Sequence, residues 1–148
     1  MLPEEEINSI SDDLFLLVLH LSGRIFNPST MFKGLPIPPS HTKVLFRLSK
    51  LGPCPVSQLA NDLIISRPNM TPIIDKLIAE GYADRYDDPN DRRVIMVKLT
   101  EKACKLLHTI EQKAKDLFVE KLAILDDNDL SNLKKLVPEL NSIVLKIK

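Results

Sequence analysis

The sequence predicts a mainly α-helical fold with one small β-hairpin, in which long amphipathic helices at both ends flank a compact helical centre. Three observations predict it. Apolar residues recur at helical spacing near both termini. Turn-forming residues divide the centre into short helices. A β-rich run, Val94 to Leu99, follows an Asp88-Pro89-Asn90 turn.

From Glu4 to about Phe26, Ile7, Ile10, Leu14, Leu17, Leu21 and Ile25 form one stripe of a long first helix. Phe15, Leu16, Val18 and Leu19 make its middle apolar nearly all round, so more than one surface must cover it, and a partner subunit is the simplest cover. Asn27 to Pro39 holds Pro28, Gly34, Pro36, Pro38 and Pro39, a density of breakers that predicts a loop. Ser40 offers an N-cap oxygen to a second helix through Lys50, with Val44, Leu45 and Leu48 inward and Gly52 as its stop. After Pro53 and Pro55 reset the chain, Val56 to Ile64 reads as a third helix with Leu59, Ala60 and Leu63 inward.

Ile65-Ser66 turns into a fourth helix, Arg67 to Glu80, ended by Gly81. It should bury Met70, Ile73, Ile74, Leu77 and Ile78 and leave Arg67, Asn69, Thr71, Asp75 and Lys76 outside. Pro72 deletes one backbone donor, so this helix is expected to kink or to start late. The hairpin follows, with a four-to-five residue tip exposing Arg92 and Arg93. Thr100 caps a fifth helix, where Leu99 and Cys104 form a hydrophobic staple; its stripe runs from Ala103 through Leu107, Ile110 and Leu117 to Leu125. Asp126 to Asp129 breaks and caps, and Leu130 to Ile147 marks a sixth helix that Pro138 should kink. A short helix beside a basic-tipped hairpin is a winged helix-turn-helix signature, a shape that fits adjacent major and minor grooves of DNA.

The composition narrows the function classes. A chain of 148 residues is near the size of one domain and long enough to bury a core without disulfides or metal. Hydrophobic content is 44% with 5% aromatic and no Trp, so the core is aliphatic. The longest apolar run, Leu14 to Leu19, falls far short of the roughly 20 residues of a membrane span. Glu4, Glu5 and Glu6 stand where a secretory signal carries positive charge, so a cytoplasmic location is expected.

Twenty Lys and Arg balance twenty Asp and Glu, which excludes a protein that coats nucleic acid through bulk charge. Residues 66–100 themselves hold six basic and six acidic side chains, so any footprint must be patterned. Cys54 and Cys104 lie 50 positions apart without ligand spacing, and His20, His41 and His108 form no pair at i, i+3 or i+4. No metal or cofactor is expected. Nucleophile elbows, glycine-rich phosphate loops, HExxH and paired-carboxylate motifs are all missing, so the chain is not read as an enzyme.

Leu59-Ala60 to Ser66, Thr71 to Gly81 and, above all, Asp88-Pro89-Asn90-Asp91-Arg92-Arg93 followed by Leu99-Thr100-Glu101-Lys102-Ala103 resemble the MarR family of bacterial transcription regulators, over essentially the whole chain. That resemblance implies one domain, 1–148, in which about 1–30 and 101–148 are dimerisation helices and about 39–100 is the winged helix-turn-helix. It also implies a sequence-specific homodimeric repressor of a pseudo-palindromic operator, released by a small-molecule effector. The first, fifth and sixth predicted helices would form the dimer interface.

By the same resemblance, Ser66, Arg67, Pro68, Asn69, Thr71, Pro72 and Lys76 lie on or at the start of the helix that enters the major groove. Arg92 or Arg93 reaches into the minor groove with Asp91 orienting it by an ion pair. A narrow minor groove concentrates negative potential and attracts a guanidinium, and Arg67 near a helix N-terminus reinforces attraction for phosphate. Effectors of the family lodge between the dimerisation helices and the winged domain. His20, Arg24, Phe32, His41 and Phe46 are candidates for lining such a crevice, each explained equally well as core or loop surface.

The Thr71-Pro72 pair resembles a branch that includes thiol-based peroxide sensors. Those place their cysteine in the first helix, where this chain has none. Cys54 between two prolines reads as an inert loop thiol and Cys104 as a core residue. Two alternatives to the repressor stand: a winged-helix module that binds protein without DNA affinity, which the balanced charge permits, and a thiol-based redox-sensing regulator.

Overall fold

A computed structural model describes residues 2–25 and 27–147, except the side chains of Pro28 and Ser29. The described chain is mainly helical with a three-stranded antiparallel sheet. It divides into two compact units, residues 28–112 and a second made of 1–27 with 113–148.

Within the terminal unit, α1 spans Glu4–His20 and continues as a π-helical segment, Leu21–Ile25. Glu4, Glu5 and Glu6 lie in its first turn, where carboxylates favour the positive end of the helix dipole. The expected end near Phe26 lies outside the described residues. At the other end of the unit, the last helix, α7, spans Asp127–Val144, and the Asp126 carboxylate accepts from the Asp129 N–H at 2.8 Å as its N-cap. The predicted capping by the Asp126 segment therefore holds, and α7 runs through Pro138. Neither α1 nor α7 contains a buried residue, and Phe15 (64%) and Val18 (59%) remain exposed. Among the described residues, no helix is long and apolar enough to cross a membrane.

The central unit opens with a correction. A short helix, α2 (Pro28–Met31), occupies part of the segment read as loop, because a proline at the first helical position lacks only an N–H that has no partner there anyway. Among the described residues there are thus seven α-helices against the six predicted. The helix α3 spans Pro39–Leu51, with Pro38 as N-cap and no side-chain cap. Ser40 lies inside the first turn, and its Oγ meets His41 Nδ1 at 3.2 Å, so it is not the cap that the sequence suggested. Gly52 ends the helix at φ 72°, a backbone that L side chains rarely adopt.

Cys54–Pro55 forms the strand β1, which sequence reading missed. It pairs with the third strand, Cys54 opposite Val97 and Pro55 opposite Met96. The helix α4 is Val56–Asp62, shorter than expected, and α5 is Arg67–Ala79. Between them Ile64 takes φ 54° and is 95% exposed. The N–H of Ile65 reaches the Ala60 carbonyl at 2.9 Å, closing the turn.

The strands β2 (Ala83–Asp87) and β3 (Ile95–Leu99) pair in register from Ala83 opposite Leu99 to Asp87 opposite Ile95, giving the sheet order β1-β3-β2. Residues 88–94 connect them, so the tip is longer than expected and Val94 belongs to it. The helix α6 spans Glu101–Leu122, ending before Leu125. Val44, Leu45, Leu48, Leu59, Met70, Ile74, Leu77, Val97, Ala103 and Leu107 form a continuous buried core. At roughly 1.5–3 kcal/mol per buried aliphatic side chain, this core is what holds α3, α4, α5, the sheet and the start of α6 together.

Candidate nucleic-acid interface

Burial of Met70, Ile74 and Leu77 at i, i+4 and i+7 dictates how α5 is turned. That rotation exposes Arg67, Pro68, Asn69, Thr71, Pro72 and Lys76. Ser66 is the N-cap residue and also exposed, but its side chain makes no capping bond. Its carbonyl instead accepts from the N–H groups of Asn69 at 3.0 Å and Met70 at 2.9 Å, while Pro68 fills a first-turn position that needs no donor. The helix begins at Arg67 and passes through Pro72, so the late start allowed for above does not occur. Thr71 Oγ donates to the Arg67 carbonyl at 3.1 Å.

The hairpin tip is shaped by two carboxylates acting on the backbone. Asp88 Oδ1 accepts from the N–H groups of Asn90 at 2.7 Å and Asp91 at 3.3 Å. Asp91 Oδ1 accepts from the N–H of Arg93 at 3.0 Å. Bonds of 2.9 Å from Asp88 N–H to the Val94 carbonyl and from Val94 N–H to the Asp91 carbonyl close the loop. Among the described residues no ion pair joins Asp91 to Arg92 or Arg93, so Asp91 fixes the tip through the main chain and not through the ion pair the resemblance implied. Arg92 and Arg93 project into solvent.

This geometry engages four of the six acidic side chains of residues 66–100. Asp75 pairs with Arg85 of β2, Glu80 lies 3.9 Å from Lys76, and Asp88 and Asp91 are engaged by backbone donors. Arg67, Arg92 and Arg93 have no ion-pair partner among the described residues. The segment is neutral by count. Besides these three arginines, Lys98 beside the Tyr86 ring and the carboxylates of Asp84 and Asp87 also lack an ion-pair partner among the described residues, so unpaired cations stand at the helix start and the hairpin tip but not there alone.

Two further contacts hold these elements. Arg47 of α3 donates to Asp62 Oδ2 of α4 from Nη2 at 2.7 Å and from Nε at 3.1 Å. Lys102 Nζ of α6 donates to the Glu80 carbonyl at 2.7 Å and lies 4.4 Å from the Tyr82 ring centroid, so the end of α5 is tied to α6. Sequence reading missed Arg47, Arg85 and Lys102, whose partners lie 15, 10 and 22 residues away.

Of the candidate effector residues, His20 and Arg24 are exposed in the terminal unit. Phe32, His41 and Phe46 are half-buried in the central one, and Phe46 packs against the core. His41 has its pKa lowered, first by burial and then by the Lys76 ammonium, with Glu80 opposing. Cys54 is buried, and burial followed by the Asp62 carboxylate raises its thiol pKa, as befits an inert thiol. Cys104 is exposed, a correction to its placement in the core. Among the described residues, no group of three or more His, Cys, Asp or Glu is placed to hold a metal ion.

Residues 37–95 match the MarR family profile. The chain is 29% identical over 100 residues to the uncharacterized HTH-type transcriptional regulator YhbI of Bacillus subtilis, covering 68% of this chain and 65% of that relative. It is 28% identical over 127 residues to the uncharacterized HTH-type regulator Mb0904 of Mycobacterium bovis, covering 84% and 85%. Among solved structures, the transcriptional regulator Tm0710 of Thermotoga maritima aligns with a TM-score of 0.77 at 18% identity, covering 94% of this chain and 96% of that one. A Cys-to-Ser mutant of MarR from E. coli, crystallised with operator DNA, aligns with a TM-score of 0.58 at 21% identity, covering 91% and 95%.

Proposed function

We propose that this chain is a MarR-family transcriptional regulator, a homodimeric repressor that binds a pseudo-palindromic operator and is released by a small-molecule effector. The observation that carries the DNA-binding part is the distribution of free cations. Arg67 at the start of α5 and Arg92 with Arg93 at the hairpin tip lack ion-pair partners among the described residues, whereas Asp75 is paired with Arg85 and the carboxylates of Asp88 and Asp91 accept from the loop backbone. In this reading α5 enters a major groove, with Ser66, Arg67, Pro68, Asn69, Thr71, Pro72 and Lys76 at or near the DNA. Arg92 or Arg93 enters the adjacent minor groove, and Asp91 holds the tip in shape.

The exposed apolar residues of α1 and α7, Phe15 and Val18 among them, support dimerisation, since such side chains lose contact with water when a second copy covers them. Two-fold symmetry then places half-site centres about one helical turn apart. The inert environment of Cys54 and the lack of any cysteine in α1 weigh against thiol sensing.

The test is titration of the purified protein into a fluorescent duplex from its own upstream region and into a scrambled duplex, at two salt concentrations. The repressor reading expects specific, salt-sensitive binding of two subunits per site, and Arg93→Ala should weaken it and lower the salt slope by about one. Equal weak binding to both duplexes, indifferent to Arg93→Ala, would favour the protein-interaction module.

A further inference from the structure

Arg67, Thr71 and Asp75 recur every four residues and so form one exposed stripe of α5. Two members suit a DNA-facing surface. The third is a carboxylate, which a phosphate backbone repels. Arg85, carried by β2 ten residues along the chain, meets that carboxylate through Nη2 and Oδ1 in a hydrogen-bonded ion pair. Its strand leads directly into the hairpin tip that carries Arg92 and Arg93. One pair therefore links the two elements that the DNA-binding reading sends into different grooves.

Exposed ion pairs add little to folding stability, because water screens both charges. Both side chains here are well exposed, at 38% for Arg85 and 54% for Asp75, so the pair is poorly placed to serve the fold alone. Against DNA the balance changes. Excluding water strengthens the attraction between the two charges, and it also makes an uncompensated Asp75 more repulsive to phosphate.

We infer that Arg85 is a positioning residue for DNA recognition: through Asp75 it sets the wing against α5 and neutralises the carboxylate on the DNA-facing stripe. The inference rests on the DNA-binding reading above. Loss of Arg85 leaves Asp75 unmasked and the wing untethered. Loss of Asp75 releases a guanidinium that is attracted to any phosphate, so binding becomes less selective while remaining strong.

The full chain is titrated with its operator duplex and with a scrambled duplex over a salt series, as wild type, Asp75→Asn, Arg85→Gln, Arg85→Lys and the double variant Asp75→Asn with Arg85→Gln. Thermal melting of each variant reports folding. The ratio of operator to scrambled affinity should fall about tenfold in Asp75→Asn and in Arg85→Gln, and the double variant should be no worse than the poorer single one. Arg85→Lys, which retains the charge, should recover part of the ratio, and melting should change little. A wild-type protein that binds both duplexes equally overturns this inference together with the DNA-binding reading. Specific binding by wild type with an unchanged ratio in both single variants overturns this inference alone, as do single effects that multiply in the double variant, or losses that follow the melting temperature.

Discussion

The Thr100 hydroxyl donates to the Gly81 carbonyl at 2.7 Å and accepts from the Ala103 N–H at 3.2 Å, so one side chain closes the turn after α5 and caps α6. Thr100 N–H also reaches the Tyr82 carbonyl at 3.2 Å, extending the same junction across the sheet. Thr100→Val keeps the shape and removes both hydroxyl bonds. It should destabilise the protein by about 1–2 kcal/mol, measured as a lower midpoint in urea with an unchanged slope. An unchanged midpoint would mean that water replaces the hydroxyl at no cost.

Ile64 carries a β-branched side chain at φ 54°, where its Cβ crowds the following carbonyl, and at 95% exposure it gains almost no packing in return. Asparagine tolerates this backbone without adding the unfolded-state entropy of glycine. Ile64→Asn should raise stability by roughly 0.5–1 kcal/mol, seen as a higher melting temperature. A lower melting temperature would show that the turn draws on a contact of Ile64.

The parts of the fold legible in the sequence are those whose signals are local and periodic. Met70, Ile74 and Leu77 announce the buried face of α5, and with it the exposure of Arg67, Asn69, Thr71 and Lys76. Gly81 at φ 78° and the Thr100 cap follow equally from residue type. Signals that fail are short or non-local. Two residues, Cys54 and Pro55, are too few to show alternation, and what makes them a strand is Met96 and Val97 some forty positions later. Proline density concealed α2 because the residue that breaks a helix interior also starts one. Cys104 was misplaced by a single step, since a rotation of about 100° carries it out of the face formed by Ala103, Leu107 and Ile110. The Asp75–Arg85 pair joins a helix to a strand and has no sequence periodicity at all.

His41 links stability to pH. Burial and the nearby Lys76 lower its pKa from the ordinary 6.5, with Glu80 acting in the opposite sense. The unfolded chain therefore takes up this proton more readily than the folded one. The contribution is full above about 6.5 and is lost as pH falls from there through the folded value. His41→Gln should remove that part of the decline, so melting curves taken between about pH 7.5 and about pH 5.5 should show a shallower loss than wild type. Parallel declines would assign the pH dependence to other groups.

The two thiols should react at well-separated rates. Cys54 is buried with its thiol pKa raised, whereas Cys104 is exposed on α6. Under native conditions a thiol reagent should modify Cys104 promptly and Cys54 only as fast as the central unit opens. Peptide mapping after a short alkylation should find the label at Cys104. Prompt labelling of Cys54 in the folded protein would reopen the redox-sensing alternative.

Asp88 tests whether the shape of the wing tip, as distinct from its charge, matters for DNA. Its carboxylate accepts from the N–H groups of Asn90 and Asp91, and Asp91 in turn accepts from Arg93, so the backbone under both arginines depends on it. Asp88→Ala removes one negative charge, which by simple electrostatics should strengthen binding to any DNA. It also frees the loop, which must then be ordered again when Arg92 or Arg93 enters a groove, at a cost of about 1–2 kcal/mol per residue fixed. The ordering cost exceeds the gain from one screened surface charge. Operator affinity should therefore fall about tenfold despite the more favourable charge, while Asp88→Asn, whose amide oxygen still accepts from the loop, should lose much less. Fluorescence anisotropy on the operator duplex reads both variants, and tighter binding by Asp88→Ala would show that charge and not loop shape governs the wing.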